Sequence, residues 1–117
     1  MKLNEIAAKL NLTLLNPGTS FDAEREIRQA HASDLLSDVL ANAPGGGLLL
    51  TIQVHLNVIA VAVHAGLSGV VFTSGLTPEE PVRERAAAEG LPLFGTPEST
   101  FEAAGKLYVL GLRGRNG

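Results

Sequence analysis

The chain has 117 residues, the size of one domain and too short for a catalytic domain plus a regulatory one. Nine Lys+Arg against twelve Asp+Glu give a net charge of −3, which excludes the basic face of a general nucleic-acid binder. The absence of Cys excludes disulfides, Fe–S clusters and zinc–thiolate sites, and fits a reducing compartment. Charged residues make up only 18%, below the usual ~25%, so apolar surface is left to cover and an oligomer is expected. Met1-Lys2-Leu3-Asn4-Glu5 lacks a signal-peptide pattern, and the longest apolar run, residues 58–63, falls far short of the about twenty residues of a membrane span. The expectation is a cytoplasmic protein with no membrane contact.

Leu3, Ile6, Ala7 and Leu10 recur at helical spacing, so residues 2–10 read as an amphipathic helix. A short apolar run at 12–15 reads as a strand and stops at the turn Asn16-Pro17-Gly18. Residues 25–31 alternate as a weak strand. Ser33 or Asp34 is expected to cap a helix through Ala43, with Leu35, Leu36, Val39 and Leu40 inward. Pro44-Gly45-Gly46-Gly47 ends it, and residues 48–53 read as a buried strand. Residues 55–65 are rich in β-branched Val, which favours a strand. A helix is expected all the same, because successive parallel strands need a crossover of about a dozen residues and this segment supplies it. Residues 69–74 form the next strand. Thr77-Pro78-Glu79-Glu80 reads as a capping box with Pro at its first helical position, opening a helix through Glu89 that Gly90 closes. Residues 91–95 are the last strand. Thr96-Pro97 opens a final helix with Phe101, Ala104, Leu107 and Tyr108 on one face. The alternation implies one α/β domain over residues 1–112, with a mostly parallel sheet of about 4–5 strands between helix layers, and a frayed tail at 113–117.

In such a sheet, ligands bind at the carboxyl ends of the strands. Ser33 and Asp34 follow the second strand; Gln53, His55 and Asn57 the third; Thr73, Ser74 and Gly75 the fourth; and Thr96 the fifth. Each group leads into a helix start, whose free amides favour an anion such as a phosphate or nucleotide. Capping alone also places Ser, Thr, Asp and Asn there. His55 at a helix start can donate to an anion or shuttle a proton, or fix the strand–helix turn. His64 reads as structural and His31 as packing. His55 and His64 lie nine residues apart with no H-x-x-x-H, so no metal is expected. No G-x-x-x-x-G-K-[ST] string occurs, and Gly45-Gly46-Gly47 lacks the lysine and precedes a strand, which excludes P-loop kinase chemistry. Residues 3–12 resemble the first helix of a helix-turn-helix, but strand and turn follow where a recognition helix should stand.

Three segments together, Ser33-Asp34-Leu35-Leu36-Ser37-Asp38-Val39-Leu40-Ala41-Asn42-Ala43, Thr51-Ile52-Gln53-Val54-His55-Leu56-Asn57-Val58-Ile59-Ala60-Val61-Ala62 and Phe101-Glu102-Ala103-Ala104-Gly105-Lys106-Leu107-Tyr108, resemble the DRTGG-domain proteins in spacing and order. The resemblance runs over residues 1 to about 112. It departs at Glu24-Arg25-Glu26-Ile27-Arg28-Gln29-Ala30, where the acid–arginine start of the naming motif survives but Arg28-Gln29-Ala30 replaces Thr-Gly-Gly. The resemblance implies a three-layer α/β/α sandwich similar to the N-terminal domain of HPr kinase/phosphorylase. It implies a regulatory or dimerising module, as found inside phosphotransacetylase-like proteins and beside CBS domains in regulated pyrophosphatases. Shared fold does not transfer kinase function. The helix at 55–65 is apolar nearly all round, so it is covered by the sheet on one side and by a neighbouring helix or a second subunit on the other; with the pairing that the resemblance implies, a homodimer is expected.

The resulting expectation is a non-catalytic regulatory or dimerisation module, gated by a small anionic ligand, that also contacts a protein partner and holds no cofactor. The alternatives are a nucleotide or phosphate-metabolite sensor binding at the strand ends, and a small phosphoryl- or acyl-transfer enzyme using His55.

Overall fold

In the computed structural model, which describes residues 1–117, the elements run α1 (Leu3–Lys9), β1 (Thr13–Leu14), β2 (Ala30–Ala32), α2 (Leu36–Asn42), β3 (Leu48–Thr51), α3 (Asn57–His64), β4 (Gly69–Phe72), α4 (Glu80–Ala88), β5 (Leu93–Gly95) and α5 (Thr100–Val109). The five strands lie in the order β1-β5-β4-β3-β2. β2 to β5 are parallel and β1 is an antiparallel edge on β5. This is the expected mostly parallel α/β sandwich.

β3 and β4 are buried at every residue, as strands covered on both faces must be. Alternation along β3 sends Leu48 and Leu50 to a core shared with Leu3 and Ile6 of α1 and Ala103 and Leu107 of α5. It sends Leu49 to the other core, with Val39 of α2, Ile59 of α3 and Val82 and Ala86 of α4. The parallel strands step across the sheet in one direction. Right-handed crossovers therefore put α2, α3 and α4 on one face and leave the other to α1 and α5.

Residues 57–64 are helical despite their Val content, because the crossover between β3 and β4 has nowhere else to go. Val58, Ile59 and Ala62 are buried, whereas Val63 is exposed. Neighbouring α2 and α4 supply the second covered side that this composition demands.

Several helix starts differ from expectation. α2 begins at Leu36 with neither Ser33 nor Asp34 as its cap. Ser33 Oγ instead accepts from Leu35 N at 3.3 Å. Leu35 falls outside the helix and Leu40 on its far face, so they are 65% and 49% exposed rather than inward. α4 begins at Glu80, two residues late, and Thr77 caps nothing. Pro81 explains the shift: it lacks an N–H, and only a first-turn position leaves no ladder bond missing. α5 begins at Thr100 with Ser99 as its cap, Ser99 Oγ accepting from Glu102 N at 3.2 Å, while Thr96 Oγ1 takes Glu98 N in a turn. Its inward residues are Ala103 and Leu107, and Phe101 and Tyr108 point outward. Gly90, at φ +70°, closes α4 as expected.

The weak strand at 25–31 shrinks to Ala30–Ala32. The residues before it are held instead by the chain start: Leu3 N donates to Arg25 O and Ile27 N to Met1 O, both at 2.9 Å. Arg113, assigned from sequence to the tail, is tied down as well. Arg113 N donates to Arg28 O at 3.1 Å and Ala30 N to Arg113 O at 2.9 Å, next to buried Leu112.

Candidate functional site

The carboxyl edge of the parallel strands collects the residues singled out above. Because the strand order never reverses between β2 and β5, the edge has no topological switch point, where such sheets usually open a crevice. Its polar groups turn mostly on one another. Thr51 Oγ1 and Ile52 N both donate to Asp34 Oδ1 at 2.9 Å, and Thr51 Oγ1 accepts from Gln53 N at 3.0 Å. Asp34 thus ties the end of β2 to the end of β3. Thr73 and Thr96 are buried, and the Thr73 hydroxyl meets that of Thr100.

Ser74 and Gly75 leave β4 through two successive left-handed residues, at φ +60° and +72°. Ser74 N donates to Glu98 O at 2.7 Å and Gly75 N to Thr96 O at 2.9 Å. These amides are spent inside the fold. A non-glycine residue in this region is strained by about 1–2 kcal/mol, and such strain clusters at functional sites. Nearby, Glu98 Oε1 pairs with Lys106, while Glu98 Oε2 is buried without a partner.

The β3–α3 loop is a run of short-range bonds. His55 N donates to Gln53 Oε1 at 3.3 Å, and Asn57 N donates to His55 Nδ1 at 3.1 Å. An imidazole that accepts at Nδ1 carries its proton on Nε2, so His55 keeps Nε2–H as a free donor. The histidine fixes the turn into α3, and with Val58 N taken by His55 O the start of this helix offers few open amides.

One cleft opens beside this loop. It measures about 610 Å³ and lies between Gln53–Leu56 and the approach to α4, with Thr77, Glu79, Pro81 and Val82 on its far wall. That volume falls in the range of small-molecule sites. Gln53 and His55 line it; Ser33, Asp34, Asn57, Thr73, Ser74, Gly75 and Thr96 do not. Thr77 and Glu79 were missed from sequence because they were read as helix cap and first turn. The walls offer neutral donors at Gln53, His55 and Thr77, one carboxylate at Glu79 and an apolar strip at Val54, Leu56, Pro81 and Val82. No group of three His, Asp or Glu residues gathers at ligating distance.

A second titratable cluster joins β2 to α2. His31 Nε2 lies 2.8 Å from Asp38 Oδ2, and Asn42 Nδ2 donates to Asp38 Oδ1 at 2.8 Å. The Asn42 amide, His31 and the Ser33 hydroxyl together pull the Asp38 carboxyl down to about 2.

The DRTGG domain family matches residues 36–109. This chain belongs to the DRTGG-domain family. The match begins after residues 24–30, so the altered segment lies outside it. The domain is also similar in fold to the crystal structure of the CBS and DRTGG domains of the regulatory region of Clostridium perfringens pyrophosphatase, complexed with its activator diadenosine tetraphosphate. The TM-score is 0.70 at 18% identity, with 95% of this chain and 47% of that chain covered. The present DRTGG domain therefore spans about half the length of that structure. Curated proteins yield no match. No helix is long and apolar enough to cross a membrane.

Proposed function

We propose that this DRTGG domain is a non-catalytic regulatory module, and that its input is a nucleotide or phosphate metabolite held in the cleft between the β3–α3 loop and α4. The observation that carries the reading is the composition of that cleft. Gln53 Nε2, His55 Nε2–H and the Thr77 hydroxyl make no hydrogen bond within the fold and can donate to phosphate or carbonyl oxygens. Glu79 can accept from sugar hydroxyls, and the apolar strip suits a base. Nothing there is arranged for group transfer: the one imidazole has its Nδ1 engaged by a backbone N–H and no nucleophile beside it, which argues against an enzyme using His55. The activator-bound pyrophosphatase region of similar fold supports a regulatory reading. Its output is contact with a protein partner or with a second copy of the chain.

Thermal melting against AMP, ADP, ATP, cyclic dinucleotides, acetyl phosphate and inorganic phosphate tests this. A ligand at 100 times its Kd adds about 2.7 kcal/mol, a shift of several degrees for a domain of this size. The expected result is a saturable shift for one of the nucleotides, reduced in Thr77→Val, whose side chain makes no bond in the fold. Absence of any shift across the panel overturns the ligand reading and leaves a protein-contact module.

A further inference from the structure

We propose that the outward face of α5, together with the end of α1, is the surface on which two copies of this chain pair, each α5 lying antiparallel to the other about a two-fold axis at Gly105. The proposal rests on the reading of the chain as an assembling module and names the surface that does it.

Phe101 and Val109 are the most exposed large apolar side chains of the molecule, at 83% and 85%. Gly105 sits midway between them, and nothing lies within 4 Å of where its Cβ would stand. At 3.6 residues per turn the three form one stripe, opposite the buried Ala103 and Leu107. The stripe reads bulky, small, bulky. An antiparallel two-fold contact centred on Gly105 sets Phe101 against the partner's Val109, and the facing glycines let the helix backbones approach closely.

The charges point to a second copy rather than to a partner of one sign. A groove of about 430 Å³ runs beside the stripe between α5 and α1, with Lys9 and Glu102 on its rim. Neither makes an ion pair within the protomer. In an isologous contact one patch meets itself, so it must carry both signs, as this one does. A stable pair covers about 800 Å² on each side, more than one short helix stripe provides. The end of α1 and the exposed Tyr108 ring, stacked under the Arg113 guanidinium at 3.7 Å, extend the surface. Of the two coverings open to α3, a neighbouring helix or a second subunit, the first is met by α2 and α4, so α3 does not call for a second subunit.

Sedimentation of the purified chain over a wide concentration range tests the proposal, with Phe101→Glu/Val109→Glu as the disrupting variant. Both side chains are so exposed that the variant is expected to fold, and to melt as the parent does at concentrations where the parent is monomeric. The expected result is a reversible dimer for the parent and a monomer for the variant at the same concentrations. Lys9→Glu and Glu102→Lys are each expected to weaken the dimer by about tenfold, and their combination to restore it. A parent that stays monomeric throughout, or a double variant that still pairs, overturns the proposal. Nucleotide-induced melting shifts are read in parallel: a lost shift with an intact dimer sinks the ligand reading alone, and the reverse sinks this one alone.

Discussion

Asp34 accepts the hydroxyl of Thr51 at 2.9 Å, across the gap between the ends of β2 and β3. Thr51 is fully buried, and the same carboxylate oxygen takes Ile52 N. Asp34→Ala strands a buried hydroxyl and a backbone amide together, and leaving a buried donor unmet costs about 1–3 kcal/mol. The expected outcome is a loss of that size in urea unfolding. Asp34→Asn, which keeps an accepting oxygen, loses less. Equal losses for the two variants would show that the carboxylate charge, not the accepted bonds, holds the strand ends.

Ser74 holds a left-handed backbone that only glycine adopts freely. Ser74→Gly is expected to stabilise the fold by about 0.5–1 kcal/mol in urea unfolding, because relief of the αL strain outweighs the added flexibility of the unfolded chain. A destabilised variant would mean that the hydroxyl contributes more than the strain.

The Asp38 carboxyl is lowered from its ordinary value of 3.8 to about 2, mainly because the Asn42 amide and His31 favour its ionised form. A carboxyl depressed by folding binds more protons when unfolded, so its stabilisation is complete above pH 4 and is lost as pH falls through about 2. Urea midpoints measured from pH 5 to 2 should therefore fall more steeply in the parent than in Asp38→Asn. Parallel curves would assign the acid limb to other carboxylates.

Gly105 interrupts α5 with a residue that weakens helices by roughly 0.5–1 kcal/mol relative to Ala. With open space where its Cβ would stand, Gly105→Ala should raise the stability of the monomer by that amount while weakening the dimer proposed above. Thermal melting at low concentration and sedimentation at high concentration separate the two effects. A stable variant that pairs as tightly as the parent would leave the glycine without a role in assembly.

The fold was legible where one constraint dominated. Residues 57–64 are helical because the chain must cross the sheet, and that requirement overrode the Val propensity correctly. Starts of helices were less legible, because Ser, Thr and Asp bond locally in several ways. Thr77 looks like a cap until Pro81 is allowed to set the register, and Asp34 looks like one although its partners lie at the last residue of β3 and the residue after it, 17 and 18 residues away. Asn16 gave no signal beyond a turn. It is nonetheless buried, its side chain donating to Leu91 O and accepting from Leu93 N, both at 2.9 Å. Of the candidate site, Gln53 and His55 line the cleft, while the wall from Thr77 to Val82 depends on how α4 packs beside α3, which no local pattern encodes. The outward turn of Phe101 was hidden for the same reason: an aromatic residue at helical spacing reads as core until the sheet decides which side of α5 it covers.

The one-way stepping of β2 to β5 also sets an order in which water can enter. β3 and β4 lie at the middle of the sheet, sealed by helices above and below, whereas β1 contributes two residues and β2 three at the margins. Brief openings begin at such margins, and the most sheltered amides surrender only when the whole domain comes apart. The Asp34 carboxylate sits on that gradient, fastening the outermost parallel strand to the first sealed one, so a single side chain governs how far a fluctuation starting at β2 travels before the centre of the sheet stops it.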